Sequence, residues 1–104
     1  MKKIPVWLFY WVSNSLLGEI YSAIRGIAVG WNDEKKSLIL RYYLDREPID
    51  EDVENINVVI ANILANTTSN DDIKEIKDEL IYTTDMIKDL DSLSGFLYLR
   101  MEVY

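Results

Sequence analysis

The 104 residues include no cysteine and no histidine. Without cysteine there is no disulfide framework, thiolate metal site, iron–sulfur cluster or thiol nucleophile. Without histidine the commonest general base and the commonest metal ligand are both missing. Glycine occurs four times and proline twice, and neither G-x-G-x-x-G nor G-x-x-x-x-G-K-[ST] is present, so no phosphate-cradling loop is expected. Basic residues are the minority, 11 against 18 acids, which leaves a formal charge of −7. Direct nucleic-acid binding is disfavoured by that balance, because phosphates would be repelled.

What is present is enough apolar material for one small core: 49% hydrophobic and 12% aromatic residues, too rich for a disordered chain. Lys2 and Lys3 precede an apolar run from Val6 to Val12, superficially like a secretory signal. The run holds Trp7, Tyr10 and Trp11, passes into Ser13, Asn14 and Ser15, and falls well short of the roughly 20 apolar residues that span a bilayer. We read it as the start of a mature cytoplasmic domain with no membrane contact.

Periodicity predicts a first helix from about Pro5 to Ala23. Leu8, Val12, Leu16 and Ile20 repeat every four residues, with Phe9, Leu17 and Ile24 flanking the same side. Trp7, Tyr10 and Trp11 lie partly off that stripe. Ile27, Val29 and Trp31 alternate with Ala28 and Gly30 as a strand, and the small residues imply something packed closely over them. After the polar Asn32–Lys36 turn, Leu38, Leu40, Tyr42 and Leu44 form a second strand, giving a β-hairpin. Glu47-Pro48 opens a second helix with Ile49, Val53, Ile56, Ile60 and Ile63 as its apolar stripe, ended by Asn66–Asn70. Asp50, Glu51, Asp52 and Glu54 crowd its first turn, where each carboxylate opposing the helix dipole contributes about 0.3–1 kcal/mol. From Asp71 to Thr83 the pattern fits helix and strand equally. Thr84–Leu93 reads as a loop with one helical turn around Met86–Leu90. Ser94-Gly95 then turns into a last strand, whose Leu97, Leu99, Met101 and Val103 alternate with Phe96, Tyr98, Arg100 and Glu102.

No catalytic set emerges. Nucleophilic catalysis needs an activating base, and there is no G-x-S-x-G elbow. Ser13, Ser15, Ser22, Ser37, Ser69, Ser92 and Ser94 sit where caps, turns or loops explain them. The carboxylates cluster as solvated faces rather than standing alone in apolar pockets that would separate their pKa values. Asp45–Asp50 lacks the central glycine and spaced oxygen ligands of a calcium loop, so no metal and no cofactor is expected.

Charge distribution is more informative. Residues 1–30 carry three bases and one acid, residues 31–54 eight acids and four bases, and residues 71–104 nine acids and four bases. Such a surface serves solubility and helix dipoles, and it also suits a basic partner, steering its approach and opposing wrong ones. Trp31, Tyr43 and Tyr98 are candidates for aromatic anchors or for sheet packing.

Three blocks resemble small acidic immunity proteins of bacterial contact-dependent growth-inhibition systems. Leu16-Leu17-Gly18-Glu19-Ile20-Tyr21 followed by Ile24–Val29 resembles their front half. Arg41–Pro48 is similar to their second strand and the approach to their second helix. Gly95–Glu102 is similar to their last strand. The blocks spread over most of the chain and are fold-level patterns without a catalytic signature. The resemblance implies a strand over Ile73–Thr83. The expected fold is therefore α+β, a single-domain two-layer sandwich over residues 1–104 in the order α-β-β-α-β-β, with two helices on a four-stranded, mainly antiparallel sheet.

It also implies a non-enzymatic immunity protein that binds the C-terminal domain of a cognate toxin, 1:1, blocking its active site. That toxin is expected to be a basic nuclease, acting on transfer RNA or DNA. The family carries no shared catalytic residues, so the site follows from charge alone: Asp45, Glu47, Asp50, Glu51 and Glu54, with Asp71, Asp72 and Glu75. Two other classes stand beside this reading. One is a scaffold or homo-oligomerisation module using the aromatic first helix with Trp7 and Trp11. The other is a small-molecule enzyme or binding domain built from carboxylates alone.

Overall fold

Ile24, Ile27, Val29 and Trp31 from one strand and Leu38, Leu40, Tyr42 and Leu44 from the next are all buried, and together they floor the core. In the computed structural model, which describes residues 3–65 and 72–102, they belong to β1 (Ile24–Asn32) and β2 (Ser37–Leu44). These strands pair antiparallel as the expected hairpin. A register shift between Ile24 and Gly26 turns both Ile24 and Ile27 to the core while Arg25 points elsewhere. The turn between the strands places Lys36 at φ 53, and Asn32 Oδ1 accepts the Lys35 N–H at 3.1 Å.

The roof of the core is α1 (Val6–Ser15) and α2 (Asp50–Ala65), which contribute Leu8, Val12, Ile56, Val59 and Ile63, with Leu16 just past the end of α1. Two expectations need correction here. First, α1 ends at Ser15 rather than near Ala23. The Leu16 N–H reaches both Val12 O and Ser13 O at 3.2 Å, and Gly18 at φ 78 turns the chain away. Leu17 and Ile20, past that end, are exposed, Phe9 is exposed on the outer side of α1, and Ile24 is already in β1. Second, the buried face of α2 is Asp52, Ile56, Val59 and Ile63, whereas Ile49 and Val53 are exposed. The Asn66–Asn70 end of that helix falls outside the described residues.

β3 (Glu75–Tyr82) is a strand, as the resemblance implied, and it pairs parallel with β2 from Ser37–Glu75 to Leu44–Tyr82. The 16 residues of α2 span about 24 Å. That matches the roughly 26 Å of an eight-residue strand, so the helix returns the chain to the starting end of β2. The sheet is therefore mixed, in the order β3-β2-β1-β4, and not mainly antiparallel. A 3-10 turn at Ile87–Asp89 stands between β3 and β4, where the sequence led us to expect one helical turn around Met86–Leu90. β4 (Gly95–Leu99) pairs antiparallel with β1 and stops four residues earlier than expected, Val103 lying outside the described residues.

The link from β3 to β4 crosses the sheet in the opposite direction to the β2–α2–β3 link. Crossovers of one handedness must then lie on opposite faces. The side chains agree. Tyr43 Oη donates to Asp91 O at 2.7 Å, and buried Arg25 donates to Thr83 O at 2.8 Å and Asp85 O at 2.6 Å. Arg25 also grips both carboxylate oxygens of Glu102, at 2.9 and 2.8 Å. The crossover thus covers part of the helix-free face. Beside it Gly26 packs closely: a Cβ there would lie 3.1 Å from Leu99 Cδ2, 3.4 Å from Tyr98 O and 3.5 Å from Phe96, so Leu99 would have to shift. Trp31 and Tyr43 are buried, so neither is an exposed anchor. Tyr98 packs half-buried against the core.

Candidate functional site

The C-terminal ends of β2, β3 and β4 and the N-terminus of α2 meet at one end of the sheet. Asp45 leaves β2 there with its N–H bonded to Ala23 O, and Arg100 leaves β4 with its N–H bonded to Arg25 O. Arg100 Nη1 donates to Asp45 Oδ2 at 2.7 Å and Nη2 to Glu102 Oε2 at 3.0 Å, so this cation is shared between two carboxylates.

Proline at position 48 cannot donate a backbone hydrogen bond and biases Glu47 away from helix. The helix begins immediately after Ile49. Asp52, at the third helical position, folds back to accept the Ile49 N–H at 2.8 Å, one half of a capping box. Its carboxylate also takes two bonds from Arg46, at 2.7 and 3.2 Å, and one from the Tyr21 hydroxyl. Asp52 is 0% exposed. Burial alone would raise its pKa, but the bonds from Arg46, Tyr21 and the Ile49 N–H outweigh it and hold the group at about 2. Burial, and then the bond to Asp52, keep the Tyr21 phenol protonated far above neutrality. Next to them Asn55 Nδ2 donates to Glu19 O at 3.0 Å while Asn55 Oδ1 accepts from Tyr42, tying the Gly18–Ser22 loop to the helix.

With Asp52 turned inward, Glu47, Asp50, Glu51 and Glu54 stand exposed around the first turns of α2, and none forms an ion pair with another described residue. The two nearby cations, Arg46 and Arg100, are both engaged. Interleaved with these acids are the exposed apolar side chains Ile49 and Val53, while Tyr82, Leu99 and Met101 lie at the same end of the sheet. A cavity of about 270 Å³ opens among Tyr21, Arg46, Glu51, Asp52 and Asn55. It holds one carboxylate locked in its ionised form and one phenol locked in its neutral form, a pair with no proton to exchange near neutral pH. Among the described residues, no group of three or more potential ligands converges as a metal site, and no helix is long and apolar enough to cross a membrane.

The candidate acids are thus divided. Asp45, Glu47, Asp50, Glu51 and Glu54 come together. Asp72, half-buried, and Glu75, exposed, lie at the other end of β3, a strand length of roughly 26 Å away. There the surface is mixed rather than acidic: Lys77 Nζ is 4.0 Å from Glu75, the Lys74 N–H bonds Lys36 O, and Lys35 lines the same small cavity as Glu75. Asp71 falls outside the described residues. Sequence reasoning counted Asp52 among the dipole acids and missed its burial. The available signal was spacing, because Asp52 stands four residues before Ile56 on the face that continues to Val59 and Ile63.

No curated protein matches the chain. A family model does, over residues 5–102, under the description MafI2 immunity protein. With nearly its whole length matched, the chain belongs to the MafI2 immunity protein family, immunity proteins of polymorphic toxin systems.

Proposed function

We propose that this immunity protein neutralises its toxin through the acidic sheet end, covering a basic active-site cleft with Glu47, Asp50, Glu51 and Glu54. Immunity against a toxin, and binding of that cognate toxin, come with the family. The observation that carries the finer reading is the excess of unpaired carboxylates at this end. Helix-dipole matching is served by one or two acids in the first turn. Four exposed ones, beside exposed Ile49 and Val53, have the make-up of a steering rim around an apolar anchor.

A cleft that complements clustered carboxylates is one that binds phosphates, which favours a nuclease, with transfer RNA as its target in a contact-dependent growth-inhibition system. Such a toxin acts in the cytoplasm, and so would its antagonist. The whole chain, 1–104, works as one domain by binding alone, 1:1 and without cofactor. Asp45 contributes less than the unpaired acids because Arg100 neutralises it. Asp71, Asp72 and Glu75 contribute as a second, weaker contact.

The test is charge reversal of Asp50, Glu51 and Glu54 to lysine, with the fold checked by circular dichroism. The variant should associate with the cognate toxin domain at least about tenfold more slowly at low salt, with protection lost in co-expression. Unchanged association at low salt overturns the assignment.

A further inference from the structure

The outward side of α1 is an extended apolar surface left uncovered among the described residues. Val6 is 85% exposed, Tyr10 63% and Leu17 75%, with Phe9, Trp7 and Ile20 each at least 38% exposed. Together they offer on the order of 700 Å² of apolar and aromatic surface. That exceeds the roughly 300–600 Å² of the largest patch on a typical monomer. It is close to the ~800 Å² that each partner contributes to a standard-size interface.

We infer that this face pairs with a second copy of the chain, α1 against α1 about a two-fold axis near Ser13. Charge selects that occupant. No acid occurs before Glu19, whereas the molecule as a whole carries −7, so two copies approach here with the least repulsion. Its one carboxylate, on Glu19, is half-buried and accepts from Asn55 Nδ2 at 3.2 Å, so a basic partner gains little from this face. Shape agrees as well. Val6, Tyr10, Ser13 and Leu17 follow one another at four- and three-residue steps, a single helix ridge continued past the end of α1. The ridge carries bulk at its start, in Phe9 and Tyr10, and a groove of about 370 Å³ at its finish, lined by Ser13, Leu16, Leu17, Gly18, Ile20 and Leu97. Antiparallel pairing about Ser13 lays the aromatic end of each copy over the groove of the other, the self-complementarity a two-fold interface requires.

Sedimentation equilibrium of the full chain at about 100 µM tests this. The expected mass is twice the 12.2 kDa of one chain, falling to one chain mass in the Tyr10→Glu, Leu17→Glu double variant. Because the chain has no cysteine, Ser13→Cys supplies a second readout that leaves the apolar face intact. Under mild oxidation it should cross-link into a covalent dimer at least tenfold faster than Asn57→Cys on the exposed side of α2. A monomer at 100 µM, or equal cross-linking at the two positions, overturns the pairing. A monomer whose double variant loses toxin binding overturns it too, and assigns the face to the toxin.

Discussion

At the residue scale the molecule divides its acids into two kinds. Asp52 is buried with four hydrogen bonds, whereas Glu47, Asp50, Glu51 and Glu54 are exposed and have no cation partner among the described residues. The two kinds respond to pH differently. Asp52 is held at about 2 in the folded protein, below the ordinary carboxylate value near 3.8, so it adds stability above about pH 4 that is lost as pH falls toward 2. The shift corresponds to about 2 kcal/mol. Asp52→Asn should therefore lower the unfolding free energy by about that amount at pH 7 and flatten the pH dependence between 4 and 2. Urea melts at a series of pH values measure both. A variant with wild-type stability at pH 7 would mean that the four bonds contribute nothing net. Sequence alone placed both kinds of acid in one cluster, because charge carries no sign of burial. Only the spacing of Asp52 to Ile56 separates them.

At the element scale, strands and the hairpin were legible because alternation over Leu38–Leu44 and around Ile27–Trp31 reports directly on which side is buried. The existence of both helices was legible for the same reason, but their limits and faces were not. In α1 the apolar repeat runs on through Leu16 and Ile20 while the backbone leaves the helix, a decision made at Gly18 by its φ of 78. No side chain lies within 4 Å of the Cβ that alanine would add there. Gly18→Ala should then cost only the left-handed backbone strain, about 1 kcal/mol, seen as a lower melting temperature with an unchanged fold. A cost of several kcal/mol would show that the position is packed rather than merely bent. The mixed sheet was illegible for another reason. Whether β3 returns parallel depends on the length of α2 relative to β2, and periodicity does not report where a helix puts the chain down.

At the scale of the whole molecule, opposite ends of the sheet differ in charge. Asp45 to Glu54 gather where three strands end and α2 begins, while Asp72 and Glu75 sit among lysines at the far end of β3. The aromatic helix faces away with no acid on it. An immunity protein needs a rigid platform for its binding surface, and here the platform is anchored by buried Arg25, which ties β1 to the crossover and to Glu102. The family explains what the molecule is for, and the exposed carboxylates are the ground on which we propose the Asp45–Glu54 end as the toxin-facing one. Hydrogen–deuterium exchange of the protein with and without its toxin domain tests that claim most directly. Slowed exchange is expected at the loop and first turns of α2, residues 45–56, with the outer residues of α1 unaffected by toxin. Protection confined to α1 and the Gly18–Ser22 loop, with residues 45–56 exchanging as in the free protein, would contradict it.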